Sequence, residues 1–257
     1  MSFRDLISGP AATVKVGQGP QAESFHVSRA LLCNSSHYFV AALKGPFIEG
    51  QSQTIELKDE DPETFRTYVA WLYQGILKSQ DIERALQGSQ SFDQHIAELI
   101  VFADRRGTSE LANDAISMLL SYMHKTRSVT LEAINCIYKN LPNSREIGGL
   151  RRLLAEQEAR HSLLSLGDID KWHRDFMADI IKAHKSNPLH FGDSLLSNIA
   201  IGGAGLCELV HVHVDQNQPC SSMAKNAYVL AVPPTQKRSN KKQKNNPTMS
   251  VIDLLKN

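Results

Sequence analysis

The sequence has few of the features that mark secreted or membrane-spanning proteins. Its 257 residues include four cysteines, far apart, which is unlike the dense pattern of a disulfide-stapled secreted domain. Residues 1–20 contain no apolar run of the signal-peptide kind. The longest uncharged apolar stretch, 195–206, is well below the ~20 residues that a membrane helix needs. We therefore expect an intracellular protein, in the nucleus or the cytoplasm, with no membrane partner.

The chain also lacks a charge excess and internal repeats. Lysine plus arginine (28) almost balance aspartate plus glutamate (27), so a nucleic-acid partner is not expected for the chain as a whole. No similarity recurs at periods of about 20 to 50 residues, which excludes a solenoid or a propeller. A hydrophobic content of 42% is sufficient for the core of one large domain or two small ones.

Alternation of apolar and polar residues predicts three strands near the start of the chain. Residues 13–16 and 24–27 alternate on either side of a turn at 17–20, and residues 54–57 alternate again. Helical periodicity dominates after residue 61. Because the strands come first and the helices follow, the sequence predicts an α+β fold and not a parallel α/β sheet.

Helix starts and ends are marked by capping residues. Ser28, either Ser35 or Ser36, and Asp61 are placed to cap helices, and Gly75 is placed to end one. Thr108 takes the same position before a later helix. Apolar stripes at helical spacing fall at Phe65, Val69 and Leu72; Ile96, Leu99 and Ile100; Leu111, Ala115 and Leu119; Leu131, Ile134 and Tyr138; Leu150, Leu153 and Leu154; and Trp172, Phe176 and Ile180.

Nine short segments match one known family in sequence order. They are 14–17, 25–32, 35–39, 47–49, 55–57, 61–65, 71–75, 103–107 and 110–111. These segments, in this order, resemble a BTB/POZ domain, and the chain is similar to the compact single-BTB proteins of filamentous fungi. The resemblance covers residues 13 to about 123. It implies the BTB/POZ fold, a small sheet packed with a cluster of helices, and a protein-interaction module that is not an enzyme.

Outside residues 13–123, composition and periodicity divide the chain into four further segments. Residues 1–12 are expected to be an N-terminal tail, and 124–187 a helical extension like the BACK region that follows many BTB domains. Residues 188–235 form a glycine-rich segment with a short predicted strand at 209–214. Residues 236–247 contain no apolar residue, so 236–257 is expected to be a basic, disordered tail.

The resemblance implies two functions. The first is a substrate adaptor of a cullin-RING ubiquitin ligase, with a cullin and an unidentified substrate as partners. The alternative is a nuclear BTB scaffold or oligomeriser in transcriptional regulation. Members of the family commonly form homodimers through an extra N-terminal helix and strand. A homodimer is therefore a candidate assembly of this chain, but only residues 1–12 precede the domain, so the usual exchange of N-terminal strands is not expected.

Phe47, Ile48 and Glu49 resemble the hydrophobic-x-Glu motif of cullin-binding BTB domains. An apolar anchor beside a charge can supply both binding energy and register. In the alternative interpretation, Phe47 only closes an edge of the core and Glu49 is a solvated surface charge.

Cys207, His211, His213 and Cys220 bring two thiols and two imidazoles together in a short segment. A tetrahedral zinc ion accepts this ligand set, and strand alternation would place both histidines on one face, so one structural zinc is the cofactor considered. Two alternatives stay open: Cys207 is a small buried residue beside an exposed histidine face, or a cysteine and a histidine form a nucleophilic pair.

A basic cluster lies in the C-terminal tail. Five cations in eight positions fit nuclear import or nonspecific nucleic-acid contact, and they fit a solubilising linker equally well. The residues are Lys237, Arg238, Lys241, Lys242 and Lys244.

Overall fold

A computed structural model describes residues 2–86, 90–126, 128–141, 148–161 and 170–186. Its sheet has three strands: β1 (Ala11–Val16), β2 (Glu23–Ser28) and β3 (Thr54–Leu57). The strand order is β2-β1-β3, with β2 antiparallel and β3 parallel to the central β1. All three predicted strands are present, and β1 begins at Ala11 instead of Thr13.

Up to residue 126 the described residues form eight α-helices, besides a short 3-10 helix at Gly19–Gln21. They are α1 (Phe3–Ile7), α2 (Arg29–Ser35), α3 (His37–Lys44), α4 (Ile48–Ser52), α5 (Pro62–Gln74), α6 (Ser79–Ala85), α7 (Phe92–Arg105) and α8 (Ser109–Thr126). A small mixed sheet with segregated helices confirms the predicted α+β class. The short helices α1, α4 and α6 are not predicted by the sequence pattern.

Most predicted caps form. The Ser36 hydroxyl accepts from the Phe39 N–H at 3.4 Å, and the Asp61 carboxylate accepts from the Thr64 N–H at 2.8 Å. The Ser28 hydroxyl accepts from the Leu31 N–H at 3.4 Å and also donates to the Leu6 carbonyl, which ties α1 to the start of α2. Thr108 precedes α8 as predicted, but its buried hydroxyl has no hydrogen-bond partner within the described residues.

The core lies between the sheet and the long helices. The buried face of β1 consists of Ala12, Val14 and Val16, in the alternation that the sequence predicts. Tyr68 is at the centre of the aromatic packing, with its ring centroid 5.5 Å from Phe65 and 5.1 Å from Phe102. Leu72 is buried on the same helix, as predicted.

Three further helices continue from this core: α9 (Leu131–Asn140), α10 (Gly148–His161) and α11 (Arg174–Ser186). Helix α9 packs along α7 and is fixed at both ends. At one end the Thr130 N–H donates to the buried Asp93 carboxylate at 2.5 Å. At the other, Arg105 donates to the Asn140 side chain at 2.7 Å. Within the described ranges, none of the helices has the length and apolar character needed to cross a membrane.

Candidate protein-interaction surface

Phe47, Ile48 and Glu49 lie together on the surface at the start of α4. Phe47 is the N-cap residue of this helix, and the other two form its first turn. Phe47 is 58% exposed and Ile48 76% exposed, while Glu49 is half-buried. A ring with this exposure is not enclosed by the core. Two adjacent large apolar side chains in water form a surface that gains free energy when a partner covers it.

Two glycines hold the backbone of this turn against the end of α3. A Cβ at Gly45 would lie 2.3 Å from the Ala41 carbonyl oxygen, and one at Gly50 would lie 2.4 Å from the Gly45 carbonyl oxygen. Real Cβ atoms do not approach oxygen this closely, so both positions require glycine. The Gly50 N–H donates to the Phe47 carbonyl at 3.0 Å, which closes the turn. The exposed pair is therefore carried on a compact backbone and not on an open loop.

A second apolar surface lies beside α1. Phe3 and Ile7 are exposed on this helix, and the half-exposed Tyr73 lies at the end of α5, where its hydroxyl accepts from the Ser28 N–H at 3.1 Å. The adjacent cleft has a volume of about 560 Å³. Its apolar lining is Phe3, Leu6, Leu31, Val40, Trp71 and Leu72.

Helix α1 is too short for apolar periodicity to predict it, but its sequence contains a local signal. Ser2 and Asp5 form a capping box, in which the Ser2 hydroxyl accepts from the Asp5 N–H and the Asp5 carboxylate accepts from the Ser2 N–H. A serine followed three residues later by an acidic side chain is a recognised helix-start pattern. The buried Leu6 then anchors this helix to the domain.

A third apolar depression, of about 660 Å³, separates α6 from α8. Phe92 and Tyr122 stack in its wall with ring centroids 5.3 Å apart, and Met118 lies beside them. Ser117, Ser121, Lys78, Glu83 and Lys125 are among its polar and charged lining residues.

Burial is the main cause of the pKa shifts of Cys33, Cys136 and His95. Burial raises the pKa of the Cys136 thiol to about 11 and also raises the pKa of Cys33, so both thiols are protonated near neutral pH and are poor nucleophiles. Buried His95 shares a hydrogen bond of 3.0 Å with the Thr67 hydroxyl, and burial lowers its pKa.

Over the ranges that the structure describes, no group of three or more His, Cys, Asp or Glu side chains is arranged to hold a metal ion.

Two predicted sites lie outside the described residues. They are the zinc ligands Cys207, His211, His213 and Cys220, and the basic cluster Lys237, Arg238, Lys241, Lys242 and Lys244. The short strand predicted at 209–214 lies outside them as well.

Comparison with known families agrees with this architecture. The BTB/POZ domain model matches residues 11–99, which span all three strands and the helices from α2 into α7. Residues 11–99 are a BTB/POZ domain. The resemblance of this part of the chain to a BTB/POZ domain is thereby confirmed, and a BTB/POZ domain supports a protein-protein interaction module. A search of curated proteins found no significant match.

Proposed function

We propose that this BTB/POZ protein is an adaptor that binds a cullin through Phe47, Ile48 and Glu49 and presents a substrate to a cullin-RING ubiquitin ligase. The observation that carries the proposal is the exposure of the adjacent Phe47 and Ile48 side chains on the compact turn before α4. The substrate would bind elsewhere on the chain.

The chemistry of the turn suits an anchor for a protein partner. Fully burying a side chain such as phenylalanine or isoleucine yields about 1.5 to 3 kcal/mol. Because the backbone is held by the two glycines, less conformational freedom is lost on binding than with an open loop. The Glu49 carboxylate beside the apolar pair would fix orientation through a cationic or N–H group of the partner.

Binding to a panel of purified cullins tests the proposal. The double variant Phe47→Ala, Glu49→Ala should weaken the complex by about 100-fold, the effect of losing hot-spot contacts worth near 3 kcal/mol. Its melting temperature should stay close to that of the unchanged protein, since both side chains lie outside the core.

A matched control is Ile181→Ala, which removes an exposed apolar side chain from α11. This variant should bind like the unchanged protein. If the unchanged protein binds none of the cullins, the adaptor function is wrong.

The alternative function, a BTB scaffold or oligomeriser in the nucleus, has its own supporting observation. Phe3 and Ile7 are exposed beside the apolar cleft next to α1, a surface that a second copy of the chain could cover. Light scattering should then give a dimer that becomes monomeric in Phe3→Asp, Ile7→Asp and stays dimeric in Phe47→Ala.

Nuclear import would depend on the lysine cluster. It is tested by replacing Lys241, Lys242 and Lys244 with alanine in a fluorescent fusion.

A further inference from the structure

Gln53 joins the exposed turn to the sheet. Among the described residues it is the one non-glycine residue with a positive φ, at φ 53° and ψ 32°. This left-handed conformation is unfavourable for a residue with a side chain, and it persists where the surrounding contacts compensate for it. The contacts of Gln53 therefore indicate which interactions compensate for this conformation.

The side-chain amide of Gln53 bridges both flanks of the turn. Its Nε2 donates to the Leu43 carbonyl at 3.3 Å and to the Gly50 carbonyl. Leu43 is in the last turn of α3, where carbonyl groups have no donor within the helix. Arg29 donates to the same Leu43 carbonyl at 3.0 Å. One amide thus connects the end of α3 with the body of α4, on either side of Phe47.

The backbone of Gln53 makes the second connection. Its carbonyl accepts from the Thr13 N–H at 2.9 Å, immediately before β3 joins β1 in the sheet. In the left-handed conformation, the Gln53 side chain can donate to the carbonyls on either side of the turn while its backbone carbonyl accepts from Thr13 of β1. A continuous set of hydrogen bonds then runs from the central strand to the backbone that carries Phe47 and Ile48.

We propose that Gln53 is a positioning residue for partner binding: its amide holds the turn in the conformation that presents Phe47 and Ile48. This inference rests on the proposed function, because it assigns Gln53 to the same surface. The two glycines give the turn its compactness, and the Gln53 amide orients it relative to α3. Without the amide, the turn would sample other orientations, and the partner would bind a smaller population of competent molecules.

The test combines hydrogen exchange with binding, both on the full chain. In Gln53→Leu, the backbone N–H groups of residues 45 and 47–52 should exchange about tenfold faster, a factor near the low end of what the loss of the two Nε2 hydrogen bonds predicts. Amides of β1 and β2 should keep their protection. Affinity for the cullin retained by the unchanged protein should fall by a similar factor.

Two companion variants make the test specific. Gln51→Leu changes an exposed glutamine on the same helix and should alter neither measurement. Gln53→Asn suits the left-handed backbone but carries a shorter amide, so it keeps the fold while losing the reach to Leu43. It should therefore show the faster exchange of the turn and the weaker binding with the fold intact, which keeps the test decisive where the leucine variant is poorly folded.

The outcomes separate the two proposals. If no cullin binds the unchanged protein, the adaptor function fails, and the exchange of residues 45–52 still decides whether Gln53 holds the turn. Unchanged exchange in both Gln53 variants overturns the positioning role. So does faster exchange with undiminished affinity for a cullin that binds the unchanged protein.

Discussion

Arg151 is the buried cation of the helical extension, and replacing it should destabilise that region strongly. Its side chain is 5% exposed, and Nη2 lies 3.5 Å from the Asp175 carboxylate and 3.7 Å from that of Asp179. The guanidinium also lies over the Tyr138 ring, 4.1 Å from the centroid. Arg151 therefore joins α9, α10 and α11 through charge and packing together.

The expected cost of Arg151→Ala follows from these contacts. Removing one partner of a buried ion pair typically costs about 3 to 5 kcal/mol, because the remaining charge is left unpaired. Asp175 is 62% exposed and can be solvated, and Asp179 keeps an ion pair with Lys182 at 2.8 Å. We therefore expect a loss of about 3 kcal/mol, at the lower end of that range. Arg151→Met keeps the packing volume and should cost less.

The assay is urea unfolding followed by the fluorescence of Trp172, with Trp71 replaced by phenylalanine in every variant. Trp172 stacks on Phe176, 5.3 Å between ring centroids, so its emission reports on the extension. The neighbouring Arg152 supplies the control: it is 71% exposed and pairs with Glu156 at 2.7 Å. Arg152→Ala should cost about 0.5 kcal/mol or less. Equal effects of the two alanine variants would refute the role of Arg151.

The remaining predictions concern the core, pH and metal. Leu72→Ala should lower the free energy of unfolding by about 2 to 5 kcal/mol, and a loss below about 0.5 kcal/mol would place the residue in solvent. Because burial lowers the pKa of His95, the unfolded state binds its proton more readily, so stability should fall as pH drops below about 6.5. His95→Gln should reduce that fall in urea titrations between pH 7 and pH 5. The zinc hypothesis predicts about one zinc per chain by elemental analysis, lost in Cys220→Ser and on acidification through the histidine range. Metal-free protein whose segment 200–225 resists protease as well as the metal-loaded form would refute it.

Local chemistry explains which parts of the fold can be predicted from sequence. Strand alternation and the caps at Ser28, Ser36 and Asp61 depend on a few neighbouring residues, and each appears where the sequence predicts it. The helices α1, α4 and α6 have five to seven residues, too few to show a full apolar period. Helix α10 is predicted from Leu150, Leu153 and Leu154, but the full extent of its buried surface is not. Arg151, Gln157 and Glu158 are buried on it as well, and charged and polar residue types suggest solvent exposure.

The candidate site also has parts that can be predicted from the sequence and parts that cannot. The sequence identifies Phe47, Ile48 and Glu49 because family resemblance depends on residue types in order. Their exposure follows from the turn, and the turn depends on Gln53, whose left-handed backbone no residue type marks in advance. The cleft beside α1 is lined by residues from several elements that only tertiary packing brings together. The candidate contact residues can therefore be predicted from the sequence, whereas the residue that holds their backbone is seen only in the structure.

The two proposed surfaces can act together. The turn uses residues 45–53, and none of these lines the cleft beside α1. If a dimer formed through Phe3 and Ile7 leaves both copies of Phe47 exposed, it presents two anchors at once. Two linked anchors raise the effective concentration for the second binding event without any new contact. The monomeric variant Phe3→Asp, Ile7→Asp should therefore keep its affinity for a single cullin in solution and lose avidity for cullin fixed densely on a surface. Equal binding of monomer and dimer to that surface would show that the two proposed surfaces do not cooperate.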